Sequence, residues 1–365
     1  MKYVKGFDTI RALAIIIVII GHWGLPFAAG NVVNSIVDPF IQYGRFGVTI
    51  FFVLSGFLIT SILLNEKINN TAADRFNVVK KFFARRVLRI FPIYYLFLLL
   101  IFIANDPFIR SHIWYYVFYS SNLLRGIDEK SLPHFWSLAV EEQFYLIWPW
   151  LILFINIKYV RNVFIFFIIT GVVSQYYSFN VAHVPYGLLS INCFDSFGIG
   201  ATYAYIRLDK EKCRKFEQSF RVVFPFLLFL AWKLAPITGT PIGVIYLRVL
   251  DNIIALALII FAINTQTGWV KKYVLENRLF NFIGKISYGI YLYHYTFGFA
   301  FFRFVNYIDA RMPLASKIFS HEYIFYFTKL GCLIVISWLS YRFIEQPILG
   351  LKKYFNYSRQ AETAG

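Results

Sequence analysis

The sequence predicts an all-α polytopic integral membrane protein, and three observations predict it. Hydrophobic residues make up 59% of the 365 positions and charged residues only 15%, against roughly 25% charged in an ordinary globular domain. The apolar residues fall in blocks of about 15–22, the length needed to cross roughly 30 Å of hydrocarbon. Lys and Arg crowd into alternate connectors between those blocks, as the positive-inside bias requires.

Ten transmembrane helices follow, at about 7–27, 45–64, 90–104, 137–157, 162–178, 187–206, 222–236, 243–264, 281–302 and 323–348. With the amino terminus inside, connectors 1–11, 65–89, 157–161, 207–221, 265–280 and the tail after 348 carry 24 Lys and Arg. The opposite connectors carry 6: Arg110, Arg125, Lys130, Arg303, Arg311 and Lys317. Both termini are therefore expected in the cytoplasm. The same asymmetry accounts for the net charge of +17 without nucleic acid as a partner; membrane lipid is the partner it implies. Residues 1–350 read as one transmembrane domain and 351–365 as a short polar tail on the cytoplasmic side, loose from Phe355 to Gly365.

The first span, from Phe7 to His22 and beyond, sets the pattern. Asp8 and Arg11 open it, and His22 sits within it eleven residues after Arg11. Eleven helical steps make about three turns, so Arg11 and His22 share a stripe with a rise of about 16 Å. An ionisable residue inside a span is a functional-site hypothesis, although a histidine bonded to a backbone carbonyl would suit the same place. Pro26-Phe27-Ala28-Ala29-Gly30 would serve as a signal cleavage site, but Asp8, Arg11 and His22 are poor company for a discarded leader.

In the second span Arg45 stands at the entrance and Ser55-Gly56 deep inside, with Gly47 and Gly56 allowing close helix packing; Arg45 would equally snorkel to the interface. Before the third span, Arg85, Arg86 and Arg89 face one region, suited to a phosphorylated cofactor or to anionic lipid heads. The connector 105–136 holds an outer re-entrant or interfacial segment near 113–124, aromatic and too short to cross. In the fourth span Ser137, Glu141 and Tyr145 recur at i,i+4, and Glu142 points about 100° away, so the two glutamates have different tasks. A carboxylate there needs a partner, for which a histidine or arginine of the first two spans is available, although a capping role near the helix start would equally suit one of the glutamates.

Asp195 lies in the sixth span between helix-packing glycines, and an arginine partner would explain it. In the ninth, Ser287, Tyr291 and His294 form a polar stripe. His112, His134, His183 and His321 read as interfacial residues without a chemical task. There is no HExxH, G-x-S-x-G or P-loop, and Cys193, Cys213 and Cys332 have no metal-ligand spacing. No metal is expected.

Taken in order, these motifs resemble the membrane acyltransferase-3 family of bacterial O-acyltransferases. The resemblance rests on Arg11 followed after ten residues by His22, with Asp8 three residues upstream. It rests equally on Arg45 with the FFVLSGF run, Arg85-Arg86-Val87-Leu88-Arg89-Ile90-Phe91-Pro92 and Trp136 to Tyr145. Ser287 to His294 and Tyr341-Arg342-Phe343-Ile344-Glu345-Gln346-Pro347 complete it, so that it covers residues 5 to about 350.

The resemblance implies an O-acyltransferase, most simply an O-acetyltransferase, of the bacterial cytoplasmic (inner) membrane. Acetyl-CoA or another acyl-CoA would be the donor substrate, with no tightly bound cofactor, and the acceptor a hydroxyl of a periplasmic or cell-surface glycan or lipid-linked sugar. It implies His22 as general base, Glu141 orienting it, and Arg45 or Ser287 on the oxyanion. Arg85, Arg86, Arg89 and Arg11 would bind the donor; Asp8, Glu142, Tyr145, Asp195, Tyr291 and His294 would support. An end at Gly365 reads as the stand-alone form, without the SGNH-like domain that some relatives append. A homo-oligomer or polysaccharide-assembly partners fit the same expectation. The alternative is a secondary transporter or flippase in which His22 and Glu141 relay protons.

Overall fold

The computed structural model describes residues 4–24, 44–124, 132–181, 188–234, 241–311 and 321–357, and among these every regular element is a helix. The cleavage-site reading at 26–30, together with His183, Arg125, Lys130 and Lys317, lies outside the described residues.

The long helices are α1 (Gly6–Trp23), α2 (Arg45–Asn69) and α3 (Arg75–Ile103). Two short turns follow, α4 (Pro107–Ser111) and α5 (Ile113–Val117). After them come α6 (Phe135–Phe154), α7 (Ile157–Asn180), α8 (Phe194–Ile206) and α9 (Lys210–Leu234). The last three are α10 (Pro241–Asn264), α11 (Arg278–Asp309) and α12 (Glu322–Ser340). Each predicted block thus contains a helix, and 6 helices are long and apolar enough to cross a membrane by length and composition. Several boundaries differ from expectation; α9, for one, begins at Lys210 rather than near 222. Helix α3 begins at Arg75 rather than near 90, so Arg85, Arg86 and Arg89 stand on the helix itself. Helix α8 has 13 residues behind a 3-10 turn at Ser190–Cys193, about 20 Å at 1.5 Å per residue. The tail starts as a 3-10 helix, Gly350–Phe355, and Arg85 Nη1 donates to the carbonyls of Lys352 and Phe355, both at 3.3 Å.

Helix α2 is the axis of the bundle, with α1, α6, α8 and α10 packed round it. Of its most apolar window 72% is buried, against 22% for α7, which therefore turns most of its surface outward. Glycine sets the closest approaches. A Cβ on Gly56 would overlap the Phe197 carbonyl and one on Gly200 the Val53 carbonyl, so α2 and α8 meet backbone to backbone. Likewise a Cβ on Gly284 would overlap the Asp8 carbonyl, which brings α11 against the start of α1. Where lipid removes the hydrophobic drive between helices, such contacts supply the dispersion energy that holds them together.

One buried polar network ties α2, α8 and α10. Arg248 Nε and Nη2 donate to Asp195 at 2.9 and 3.0 Å, Nη2 donates to Ser196 Oγ at 2.7 Å, and Nη1 reaches Thr49 Oγ1 at 3.0 Å. Asn252 donates a further bond to Asp195 at 2.7 Å. This bidentate pair answers the expectation that Asp195 has an arginine partner, and it gives the aspartate a structural task. Outside the spans, Asp209 accepts from the backbone N–H groups of Lys212 and Glu211, and these bonds hold its carboxyl below the usual range. In α5 and at its C-terminal end, Trp114, Tyr115 and Phe118 are exposed while Tyr116 is buried, as suits an aromatic interfacial segment.

Candidate functional site

Two adjoining cavities with part of their lining in common run into the bundle beside α2. The larger, about 750 Å³, is lined by Asp8, Arg11, Arg85, Arg86, Arg89, Glu345 and Lys352 among others. The smaller, about 100 Å³, shares Arg11, Arg86, Arg89, Ser287 and Tyr288 with it and continues to Ser55, Ser137, Glu141, Glu142, Tyr145 and Tyr291. A basic vestibule therefore narrows into a pocket of hydroxyls and carboxylates.

The charges round the vestibule are spent unequally. Arg11 pairs with Asp8 at 2.8 Å, three residues back on the same face of α1. Arg85 is occupied by the 350–357 segment, including Asn356 Oδ1 at 3.3 Å. Arg86 stacks over the Tyr145 ring at 4.5 Å, yet neither it nor Arg89 has a hydrogen bond or ion pair with a described residue. Two guanidiniums with donors in hand face the space. A π-helical turn at Tyr341–Glu345 continues α12 and brings Glu345 onto the vestibule wall.

In the pocket, Glu141 Oε1 accepts from both Ser55 Oγ and Tyr145 OH, and those two oxygens lie 3.1 Å apart. Glu141 is therefore bound by α2 and by its own helix, not by His22. Ser287 Oγ donates to the Gly284 carbonyl at 2.8 Å and lies on both cavity walls. Arg45 lines neither cavity and stands 3.9 Å from Asp251.

His22 lies beyond the end of the pocket, in a cluster of three imidazoles. Its Nδ1 is 3.1 Å from the Val18 carbonyl and 3.1 Å from His294 Nε2. His294 Nδ1 is 2.7 Å from the Tyr291 carbonyl. A carbonyl only accepts, so His294 carries its hydrogen on Nδ1 and, when neutral, offers a lone pair at Nε2. His22 must then carry its own hydrogen on Nδ1, which leaves Nε2 as the basic atom. Two backbone carbonyls thus fix both tautomers.

His134 is the residue that sequence reasoning missed. It is 2% exposed, its ring lies 4.7 Å from that of His294, and its Nε2 donates to the Leu292 carbonyl at 3.2 Å. Charge topology had placed it in a connector; its position directly before Phe135-Trp136-Ser137 was the available signal. Tyr291 divides the cluster from the pocket: its OH donates to the His134 carbonyl at 3.0 Å and pairs with Ser137 Oγ. The stripe of Ser287, Tyr291 and His294 does share one face, and it spans from vestibule to cluster. His112 and His321 stay away from it, His112 stacked on Phe108 and His321 at the start of α12. Among the described residues no group of His, Cys, Asp and Glu could hold a metal ion.

The sequence profile described as an acyltransferase domain (Acyl_transf_3) matches residues 4–342. The chain is 29% identical over 395 residues to the peptidoglycan O-acetyltransferase OatA of Listeria monocytogenes, covering 97% of this chain and 57% of that protein. It is 26% identical over 378 residues to the O-acetyltransferase OatA of Staphylococcus aureus, covering 95% and 57%. The chain therefore spans a little over half the length of these curated relatives. No solved structure gives a significant match.

Proposed function

The chain belongs to this acyltransferase family, and from that premise we propose that it transfers an acyl group, most simply acetyl, from acyl-CoA to a hydroxyl of a cell-envelope glycan. The observation that carries the reading is the pair of unspent guanidiniums, Arg86 and Arg89, on a vestibule that narrows toward Glu141. The phosphates of CoA would bind there, joined by Arg85 and Arg11 at the rim, because guanidinium matches phosphate geometry bidentately. CoA is too charged to enter hydrocarbon, so only its acyl-pantetheine arm would extend inward. His22 would take the acceptor's proton at Nε2, with His294 holding the ring, in place of the orienting role first expected of Glu141. Tyr145 and Glu142 complete the pocket and Ser287 its mouth; Asp8 restrains Arg11, and Asp195 and Arg45 act through the packing of α2, α8 and α10.

Arg86→Gln and Arg89→Gln should each raise KM for acyl-CoA about tenfold or more with kcat little changed. A hydrogen bond to a charged group is worth about 1.5–3 kcal/mol. An unchanged KM, measured with the purified protein in lipid, would return the cluster to anionic lipid heads.

We further infer ten crossings in the cytoplasmic membrane, with both termini and the arginine cluster on the cytoplasmic side. The support is the distribution of 24 against 6 Lys and Arg. Cysteines introduced at the exposed Lys80 and Arg110 test it. A membrane-impermeant maleimide applied to intact cells should label Arg110→Cys and spare Lys80→Cys; labelling of both or the reverse pattern sinks the topology.

A further inference from the structure

The donor pocket and the base do not meet. His22, His294 and His134 line neither cavity, and the Tyr291–Ser137 pair stands between them and the pocket. An acyl thioester seated in the pocket would lie on the far side of that partition from His22. What the pocket offers the thioester is a hydroxyl held against a carboxylate. Ser55 Oγ and Tyr145 OH both donate to the same Glu141 oxygen, so the lone pairs of Ser55 remain available. Nucleophile, base and a third group orienting the base form the arrangement that activates serine elsewhere. Gly56 packs against the Phe197 carbonyl beside it and pins this turn of α2. Arg86 over the Tyr145 ring sets the triangle directly below the phosphate-binding end.

We propose that Ser55 is the acyl carrier of this enzyme: acyl-CoA acylates its Oγ in the donor pocket, and the resulting ester, not the thioester, meets the acceptor. The proposal rests on the acyl-CoA reading above. In the first half-reaction the bond from Ser55 Oγ to the acyl carbon forms, the C–S bond breaks, and Glu141 takes the serine proton and returns it to the departing thiolate. In the second, the acceptor oxygen loses its proton to His22 and bonds the acyl carbon. The ester bond to Ser55 breaks, and the proton taken up by His22 returns to the serine oxygen. Protons and charges balance over the cycle; because Ser55 itself lines the donor pocket, the Tyr291–Ser137 pair parts in this second half so that the acceptor reaches the ester.

The test uses the full chain in lipid nanodiscs and the His22→Gln variant, which stops the second half. Incubated with radiolabelled acetyl-CoA and no acceptor, it should release about one equivalent of free thiol. It should retain about one acetyl group through denaturation, and mass spectrometry should find it on the peptide containing Ser55. Ser55→Ala on the same background should lose the label while still binding acetyl-CoA by calorimetry. Ser55→Cys should keep it as a thioester, cleaved by neutral hydroxylamine that leaves the serine ester intact. If acetyl-CoA binds and the wild-type chain acylates its acceptor, yet the His22→Gln protein carries no label or carries it elsewhere, the acyl-serine step is overturned while the donor reading stands. If no form binds acetyl-CoA, the donor reading falls and takes this step with it.

Discussion

A His22→Gln variant should fold as the parent does and lose acyl transfer by about 10²–10⁴-fold, the usual contribution of a positioned general base. Glutamine has an amide N–H for the Val18 carbonyl, so the hydrogen bond at the end of α1 has a replacement. What it lacks is a basic ring nitrogen to accept the acceptor's proton. His22 is partly exposed at the last turn of its helix, and truncation there leaves no large cavity. The loss should fall on kcat, with KM for acyl-CoA little changed, because His22 lines neither cavity. Steady-state transfer to the acceptor checks this, with a monodisperse elution profile as the control for folding. Transfer at the parent's rate would remove His22 from the chemistry.

The largest effect on stability is expected at Arg248, far from the reaction. Asp195 is 0% exposed and both its oxygens accept from Arg248. Arg248→Met leaves a buried carboxylate facing only the Asn252 amide. Breaking a buried pair from one side costs about 3–5 kcal/mol, a large share of a typical total of about 5–15 kcal/mol. Thermal unfolding in detergent should show a drop of many degrees. The double variant Asp195→Asn, Arg248→Met should recover most of it, since no charge is then stranded. A single variant that melts with the parent would mean that water or lipid reaches Asp195. Acyl-CoA affinity of the folded fraction should stay near the parent's, because neither residue lines the vestibule.

These two cases also mark what the sequence reveals and what it hides. Where helices lie is a local property, since apolar blocks of membrane-crossing length are visible one at a time. Asp195 stood out as a charge in oil, but Arg248, 53 residues further on, belongs to another block and shows no shared periodicity with it. Ser55 stood in the sequence only as a residue deep in the second span, with no task assigned to it. Its meaning depends on Glu141, 86 residues away, which only the docking of α6 on α2 supplies. Sorting the connectors by charge located the arginine cluster and the interfacial aromatics, and the same sorting sent His134 to a loop. The stripe of Arg11 and His22 was legible from spacing alone. That His22 answers to His294 rather than to Glu141 required the crossing of α1 by α11, fixed where Gly284 meets the Asp8 carbonyl.

The Tyr291 hydroxyl, tied to Ser137 Oγ and the His134 carbonyl, bears on the energetics of the cell as well as on catalysis. A shaft wide enough for a pantetheine arm and open at both ends would admit a file of water, and with it a proton leak that would discharge the membrane potential. Moving one charge across 100 mV releases about 2.3 kcal/mol, a driving force that any such file would dissipate continuously. With this phenol across the passage, as in this structure, the vestibule is a blind end between transfers. Under the proposed donor reading, the bundle admits a solvated acyl-CoA from one side and remains an electrical insulator.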